Sequence, residues 1–358
     1  MNNKHYNKKQ MPLHFILAFS SLFFVAACAN TNSNTVEQHP NSLLDSTLVR
    51  KYANTITTTD LKQHLEIYAS DDFEGRATGT PGQKKAANYI KAFYIKEQIS
   101  SPIEDTIYYQ HVPASYLPEN IEDSENVLAY IKGSEKPEEI IVISAHLDHV
   151  GVIKGEIYNG ADDDGSGTVA IMEIAQAFKQ AALNGEGPKR SILFLHVTGE
   201  ELGLYGSRYY SEHPVFPLKN TIANLNIDMI GRVDDKHKDN PDYIYLIGSD
   251  RLSDDLHEVS EKTNDTYFNL ELDYTYNALD DKNRYYFRSD HYNFAKHNVP
   301  VIFYFNGTHA DYHKATDTVD KINFPMLQKR AQLVFATAWQ LANQEHRPAL
   351  NDDVKLED

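Results

Sequence analysis

The sequence predicts an α/β fold in which a central sheet lies between two layers of helices. Strand-like and helix-like segments alternate along most of the chain, and several strand segments are apolar at every position, for example 140–143 and 192–195. Such runs are typical of strands that are covered on both faces, because both rows of side chains must then leave water. Polar clusters directly follow several of these strands, which is where open α/β sheets place their functional sites.

The individual elements follow from their residue patterns. Apolar runs bounded by polar or turn residues predict strands over 106–112, 126–131, 139–145, 191–197, 221–227, 243–247 and 299–304. Apolar residues at helical spacing predict helices over 57–68, 83–98, 166–182, 204–212, 253–262, 291–297 and 324–344. The segment 233–288 is rich in Asp, Asn and Tyr, so we expect it to include a long excursion from the core.

The amino terminus has the pattern of an export signal. Lysines occupy positions 4, 8 and 9, and an apolar run follows over 13–27 that is too short for a secure membrane span. The run ends in Val-Ala-Ala and is followed by Cys28, the only cysteine of the chain. This resembles the lipobox of bacterial lipoproteins, and an ordinary signal peptide is the alternative. Because a single thiol cannot form an internal disulfide, lipidation of Cys28 is the preferred interpretation.

These features divide the chain into four parts. We predict a signal peptide over residues 1–27, followed over 28–55 by the lipidated cysteine and a flexible tether rich in Asn, Thr and Ser. One globular domain follows over 56–346, and a polar tail over 347–358. The predicted location is the bacterial cell envelope, facing the periplasm. The lipid would be the only anchor, because no later apolar stretch reaches the length of a membrane helix.

The charge balance narrows the class of partner. The formal net charge is −17 at pH 7, with 51 acidic against 34 basic residues. Nucleic acids and anionic lipids attract positive protein surfaces, so the composition argues against both as principal partners. It is compatible with a positively charged substrate, such as the α-amino group of a peptide.

The first two polar motifs lie in the middle of the chain. His146 and Asp148 end the strand predicted over 139–145, and residues two apart in an extended chain point to the same side. Asp148 can therefore accept a hydrogen bond from the His146 ring, as carboxylates near metal-binding histidines do. Three acids, 162–164, lie between glycines before a predicted helix. Acids at the positive end of a helix are the ordinary explanation of such a run.

Further acids and a histidine follow later strands. Glu200 and Glu201 come after the strand over 191–197, and two neighbouring carboxylates can divide their roles, one binding a metal and one moving a proton. Asp228 follows the strand over 221–227, and His313 follows the last strand. Each residue alone has an ordinary explanation as a cap or surface group. Together they supply only nitrogen and oxygen ligands, which suits Zn²⁺ in a catalytic site with an open position.

The content and order of these motifs resemble the zinc-dependent exopeptidase family that contains bacterial aminopeptidases, glutamate carboxypeptidases and glutaminyl cyclases. The matching stretches read H-L-D, G-A-D-D-D-G-S-G, G-E-E-L-G, N-I-D-M-I-G, S-D-H and Y-H-K-A-T-D-T, within residues 61–342. Residues 71–82 resemble the opening segment of the family. The resemblance implies a three-layer sandwich with a mixed, mostly parallel central sheet, and makes 56–346 a single zinc-peptidase catalytic domain.

The resemblance also implies two zinc ions per chain and their ligands. His146 and Asp228 would bind one ion. Glu201 and His313 would bind the other. Asp163, the middle acid of its run, would bridge the two, and the peptide bond that follows Asp163 is expected to be cis.

The catalytic roles are carried over in the same way. Glu200 would be the general base toward a water that bridges the metals, Asp148 would orient His146, and Tyr312 would stabilise the oxyanion. The implied activity is removal of amino-terminal residues from peptides with a free amino terminus. A monomer is the favoured oligomeric state.

Three other functions stay open from the sequence. A carboxypeptidase or dipeptidase of this family would need a basic group for the terminal carboxylate, and four arginines lie near the motifs, at positions 208, 232, 284 and 288. A glutaminyl cyclase would use a single zinc, so metal stoichiometry distinguishes it. A non-enzymatic binding protein on this fold would have lost ligands, whereas the five predicted ligands and the base are all present.

Overall fold

The computed structural model describes residues 46–104, 106–352 and 354. The predicted signal peptide, Cys28 and most of the predicted tether lie outside these residues. The strands are β1 (Tyr109–Val112), β2 (Ser124–Ile131), β3 (Lys136–His146), β4 (Gly151–Ile153), β5 (Glu156–Tyr158), β6 (Arg190–Val197), β7 (Thr221–Ile227), β8 (Tyr243–Ile247), β9 (Glu271–Asp273) and β10 (Val301–Phe305). The helices are α1 (Ser46–Ala53), α2 (Thr58–Tyr68), α3 (Pro81–Lys96), α4 (Gly167–Leu183), α5 (Tyr205–Glu212), α6 (Asp254–Tyr267), α7 (His291–Ala295) and α8 (Phe324–Asn343).

One mixed sheet of eight strands has the order β1-β2-β6-β3-β7-β10-β8-β9. The four central strands, β6, β3, β7 and β10, are parallel to one another. On one side, β2 is antiparallel to β6, and β1 is antiparallel to β2. On the other side, β8 is antiparallel to β10, and β9 is parallel to β8. The predicted mixed, mostly parallel sheet is confirmed. Because parallel strands end at the same edge of a sheet, the residues that follow β3, β6, β7 and β10 are brought together.

Helices cover both faces of this sheet. On one face, Ile141 and Ile143 of β3 belong to an apolar core that includes residues of α1 to α4, α6 and α8. On the other face, Ile140 and Val142 of the same strand pack in a second core that includes residues of α5 and α7. The apolar character of β3 at every position follows from this double burial, since neither row of side chains faces water.

The helices begin where the local chemistry favours a start. The Thr57 side chain accepts a hydrogen bond from the backbone N–H of Asp60 at the start of α2. Thr80 does the same for α3, in which Pro81 occupies the first turn. Both residue types are favoured at these positions, because they satisfy or remove backbone donors that a helix leaves free. The predicted helices are present. The helix predicted over 253–262 continues to Tyr267 as α6, and all other helix ends agree within two residues.

The tether predicted over 28–55 ends earlier than expected. Residues 46–53 form α1, in which Val49, Tyr52 and Ala53 are buried. The ring of Tyr52 stacks on Trp339 of α8, with the ring centroids 5.5 Å apart. The polar composition of residues 28–55 predicted a flexible tether instead of this helix. Positions 49, 52 and 53 nevertheless have the spacing of one apolar helix face.

The segment 233–288 was expected to include a long excursion from the core, but it contributes β8, α6 and β9 to the sheet edge and its cover. The three-residue strands β4, β5 and β9 were not predicted, since they are too short for a periodic pattern. Part of the polar tail packs on the start of α6: the Asn351 side chain accepts a hydrogen bond from the backbone N–H of Asp254 at 2.8 Å. Within the described residues, no helix has the length and apolar content that a membrane span requires.

Candidate metal centre

The predicted site residues come together at the carboxyl edge of the parallel strands. His146 is the last residue of β3, and Asp228 directly follows β7. Glu200 follows β6 after a short turn, and His313 lies in the loop after β10. Asp163 lies in the turn that leads into α4. Side chains that are far apart in the sequence therefore face one point, as the order of the strands requires.

The first ligand group consists of His146, Asp163 and Asp228. The Nε2 atom of His146 lies 3.1 Å from Asp163 Oδ1 and 3.7 Å from Asp228 Oδ1. The second oxygen of Asp228 accepts a hydrogen bond from the Ser289 hydroxyl at 2.7 Å. Ser289 opens the S-D-H motif, so the structure explains that motif as support for Asp228.

The second ligand group contains Glu201, His313 and the same Asp163. The Nε2 atom of His313 lies 3.0 Å from Asp163 Oδ2 and 3.2 Å from Glu201 Oε2. Asp163 thus turns one oxygen to each group. This is the geometry expected of a bridging carboxylate.

His149 lies beside the second group, and the sequence motifs did not indicate it. Its side chain is buried, and Nδ1 lies 2.8 Å from Glu201 Oε1 and 3.7 Å from Asp163 Oδ2. Ligand atoms of His149, Asp163 and Glu201 all lie within 4.8 Å of one another. The available signal was its place as the fourth residue of the run H-L-D-H, directly after a buried strand.

The three acids of 162–164 have different tasks. Asp162 accepts a hydrogen bond from the backbone N–H of Gly231 at 2.7 Å. Asp164 accepts from the backbone N–H groups of Gly167 at 2.9 Å and Met229 at 3.1 Å. Only Asp163 faces both ligand groups, as predicted for the middle acid. The Asp163–Asp164 peptide bond is cis, as the resemblance implied.

Gly160 makes room for this turn. Its φ of +50° is in the left-handed region, and a Cβ atom at this position would lie 2.5 Å from two atoms of the His149 ring. A side chain here would therefore be strained by the backbone and would also push His149 away from Glu201.

Asp148 contacts His146 in a different way from the one predicted. The Nδ1 atom of His146 lies 3.0 Å from the backbone carbonyl of Asp148, whereas the Asp148 carboxylate is 3.9 Å away. That carboxylate instead accepts hydrogen bonds from the Thr78 hydroxyl at 2.7 Å and the Glu200 backbone N–H at 3.2 Å. The carbonyl orients the ring, and the carboxylate fixes the turn that carries Glu200. The predicted contact between the Asp148 carboxylate and the His146 ring is not made, because β3 ends at His146 and the chain beyond it is no longer extended.

Glu200 lies beside the two groups without belonging to either. Its Oε2 atom is 4.0 Å from His146 Nε2, and it lines a cavity that also contains Asp163 and Asp228. Burial raises the pKa of the Glu200 carboxyl well above its usual range, and the charge of Asp228 adds to this effect. A carboxylate with a raised pKa is a stronger base toward a proton donor in the cavity.

The charges of the ligand groups depend on one another. Burial alone would lower the pKa of His313, but its close contacts with the carboxylates of Asp163 and Glu201 raise that pKa to about 10. Burial would raise the pKa of Asp163, but the charge of His149 and the close contacts with the His146 and His313 rings hold that pKa well below its usual range. A metal ion that binds here must replace protons on the imidazoles, so its affinity will rise with pH.

Aromatic side chains form the other walls of the cavity. They are Tyr285, Phe303, Phe305 and Tyr312, with Met229 and Arg288 beside them. The Tyr312 ring stacks on His313 with the centroids 3.9 Å apart. Both carboxylates and aromatic rings therefore line the cavity.

The donor atoms fit a zinc ion. His146 Nε2, His149 Nδ1, Asp163 Oδ2 and Glu201 Oε1 are buried, and none makes a well-formed hydrogen bond to a described residue. Buried polar atoms without a partner are rare because they are costly, so four in one place indicate a ligand that satisfies them. Atoms about 2.1 Å from a tetrahedral zinc lie roughly 3.4 Å apart. The donor distances within the two groups, from 2.8 to 3.7 Å, bracket that value.

Arg76 holds the loops that carry the ligands. It is fully buried, and its guanidinium donates hydrogen bonds to the carbonyls of Leu147 at 3.2 Å, Asn159 at 2.7 Å and Gly160 at 3.0 Å. These bonds join the turn after β3 to the turn that leads to Asp163. Arg76 belongs to the segment 71–82 that resembled the opening of the family.

We expect Arg76→Met to lower the free energy of unfolding by about 3–5 kcal/mol, because several buried carbonyls lose a charged donor at once. Urea denaturation of the metal-free protein measures this change. The control is Arg50→Met, which removes one exposed hydrogen bond to the Thr266 carbonyl and should cost less than about 1 kcal/mol. Equal effects of the two substitutions would contradict the conclusion that Arg76 stabilises the fold by joining the two turns.

The fold and the site together define an α/β metalloprotein with two ligand groups that share one carboxylate. The chain belongs to Peptidase family M28, whose model matches residues 126–338. This stretch contains every predicted metal ligand, together with His149 and Glu200.

Curated relatives agree with this membership. The chain is 31% identical over 213 residues to a "Probable zinc metalloprotease" of Pyrenophora tritici-repentis, a match that covers 57% of this chain and 42% of the relative. It is 27% identical over 233 residues to "Aminopeptidase YwaD" of Bacillus subtilis, covering 63% of this chain and 46% of the relative. The chain thus spans about half the length of these two relatives.

A solved structure has the same fold. The LapA aminopeptidase of Legionella pneumophila superposes with a TM-score of 0.65 at 22% sequence identity, over 85% of this chain and 77% of the other. At this identity the likeness concerns the arrangement of strands and helices, and the chemistry of the site must be argued from its own residues.

Proposed function

We propose that this protein is a zinc-dependent aminopeptidase that removes residues from the amino terminus of peptides at a two-metal site. One observation carries the proposal above all: Asp163 turns Oδ1 to His146 and Oδ2 to His313, so a single carboxylate serves both ligand groups. A site for one metal would need no such shared ligand. Membership in Peptidase family M28 supports peptide hydrolysis as the reaction.

The ligand groups define where zinc would bind. His146, Asp163 and Asp228 would hold one ion, and Asp163, Glu201 and His313 the other. Zinc at this position would polarise the scissile carbonyl and make a water molecule acidic enough to attack it at neutral pH.

The protein's own residues would handle protons and orientation. Glu200 would take a proton from the attacking water and return it to the leaving amine, since its carboxylate lines the cavity and is not part of a ligand group. Tyr312 lines the same cavity and is suited to donate a hydrogen bond to the developing oxyanion. Its pKa is raised by burial and by the nearby carboxylates, which keeps the hydroxyl protonated.

The cavity suits the end of a peptide with a free amine. Asp228, Glu200 and Asp163 give the cavity negative charge, which favours a substrate ammonium group. Phe303 and Phe305 in the lining suit an apolar side chain of the substrate. An amine held beside the metals fixes the cut to the first peptide bond.

One observation favours a second candidate, a carboxypeptidase or dipeptidase. Arg288 lines the cavity and is exposed there, so it can pair with a substrate carboxylate. Two of the other three arginines near the motifs are engaged elsewhere: Arg232 pairs with Asp311 at 2.8 Å, and Arg208 donates to the Tyr116 hydroxyl at 3.0 Å.

A matched set of substrates tests the proposal. We expect hydrolysis of leucine p-nitroanilide and of a free peptide, and no hydrolysis of the same compounds with an acetylated amine. Cleavage of the acetylated peptide at its carboxyl end, lost in Arg288→Gln, would replace the proposal with the carboxypeptidase. Release of pyroglutamate from an amino-terminal glutamine peptide by a protein with one zinc per chain would indicate a glutaminyl cyclase.

We further propose that the protein is anchored by a lipid on Cys28 in the cell envelope. The lipobox-like run and the single cysteine support this location, and both lie outside the described residues. We expect the wild-type protein to enter the detergent phase with membranes, and Cys28→Ser to abolish processing or release the protein. Phase partitioning and intact mass measure these outcomes. A soluble wild type with an unmodified Cys28 would contradict the anchor.

A further inference from the structure

His149 differs from two other buried imidazoles outside the predicted ligand set, His196 and His291. It is 1% exposed, and neither ring nitrogen has a hydrogen-bond partner among the described residues. The buried His196, by comparison, shares a hydrogen bond of 2.6 Å with the Tyr94 hydroxyl. His291 also lacks partners, but it stacks on the Phe303 ring with the centroids 4.8 Å apart. His149 alone among these three directs a free nitrogen at carboxylates.

The surroundings hold the His149 ring in this orientation. Its backbone N–H donates to the Arg76 carbonyl at 3.2 Å, so the turn after β3 is fixed. Gly160 packs against the ring, and the His313 ring meets it edge-on with the centroids 5.8 Å apart. The position of Nδ1 beside Glu201 is therefore imposed by the fold.

Three buried atoms that make no hydrogen bond to the described part of the chain face one another here: His149 Nδ1, Glu201 Oε1 and Asp163 Oδ2. An ion pair between His149 and Glu201 would satisfy only two of them, and the 2.8 Å contact does not have hydrogen-bond geometry. A cation placed among the three would satisfy all of them. His313 completes this set from the other side, 3.0 Å from Asp163 and 3.2 Å from Glu201.

We propose that His149 is a direct ligand of the second metal, which gives that ion four protein ligands while the first ion has three. The proposal rests on the two-metal site of the proposed function. Zinc sites with four protein ligands are closed and structural, whereas sites with three keep a position for water or substrate. The ion among His149, Asp163, Glu201 and His313 is therefore held more tightly. The ion at His146, Asp163 and Asp228 exchanges more readily and presents the open position.

The test is zinc binding by the full-length protein in detergent, measured as zinc per chain by mass spectrometry after equilibration with buffered free zinc. The deciding variant is His149→Phe, which keeps a ring in the slot and removes both nitrogens. The matched control is His64→Phe, because His64 also lies beside a carboxylate, 3.3 Å from Glu173, but away from the site. The unfolding temperature of each metal-free protein checks that it is folded.

We expect two zinc ions per chain in the wild type and in the control, with one ion leaving at higher free zinc than the other. In His149→Phe, affinity for the tighter ion should fall by more than about 100-fold, since even a partner that only supports a ligand is worth 10–100-fold. The stabilisation by zinc should shrink accordingly. A smaller loss of affinity overturns the assignment of His149 as a ligand.

Two further results keep the outcome decisive. If His149→Phe does not fold, the same titration is done with His149→Asn, which is smaller than histidine and lacks an imidazole. The same loss is expected, and retained affinity overturns the proposal. A wild type that binds fewer than two zinc ions overturns the two-metal site itself. The wild-type sample alone shows this failure of the two-metal site. Failure of the His149 assignment looks different: the wild type binds two zinc ions, and the variant binds both with unchanged affinity.

Discussion

Glu200→Gln is expected to reduce kcat by roughly 10²–10⁴-fold, the range that a positioned general base contributes, with metal content unchanged. The amide keeps the size of the side chain but cannot accept the proton. Glu200 lies at 4.0 Å from His146 and belongs to neither ligand group, so its loss leaves the metal ligands intact. Hydrolysis of leucine p-nitroanilide and zinc per chain are measured on the same sample.

The neighbouring residue is the control for this prediction. Glu201→Gln has the same chemical change one position along the chain, but Glu201 lies 2.8 Å from His149 and 3.2 Å from His313. It should lose zinc from the second group as well as activity. If Glu200→Gln loses zinc and Glu201→Gln keeps both ions, the two roles are interchanged.

Asp163→Asn is expected to abolish activity and to weaken the binding of both zinc ions by more than about 100-fold, since this residue is a direct ligand of each. The substitution changes one oxygen to nitrogen and removes one negative charge. That charge faces three imidazoles, His146, His149 and His313. In a zinc titration of this variant, both binding steps should therefore move to higher zinc concentration. Loss of any other ligand should move only one binding step.

Asp162→Asn is the matched control for the bridging role. Asp162 is adjacent and equally buried, but its carboxylate accepts from the Gly231 backbone and lies 3.1 Å from His309 Nε2. We expect this variant to keep both zinc ions and to lose about 1–3 kcal/mol of stability, because a buried acceptor is weakened. Retained zinc in Asp163→Asn together with lost zinc in Asp162→Asn would place the bridge one residue earlier.

The sequence by itself predicted most of the fold. The uninterrupted apolar runs of β3 and β6 indicated strands that are covered on both faces, and both cores are present. The sequence also predicted which strand ends carry the site. The motifs that contain Asp163, Glu201 and Asp228 consist of adjacent residues, so they can be recognised without knowledge of the fold. Local patterns report burial and turn chemistry directly, since each depends on neighbouring residues.

Only the tertiary structure decided the contacts that depend on the end of an element. Extended spacing predicted that the Asp148 carboxylate would reach His146, but β3 ends at His146, and the turn presents the Asp148 carbonyl instead. The same turn carries His149 into the second ligand group, where its neighbours Glu201 and Asp163 come from distant parts of the chain. A lone histidine after a strand has no pattern of its own. Its partners are set by the parallel order of β6, β3 and β7, which is a property of the folded sheet.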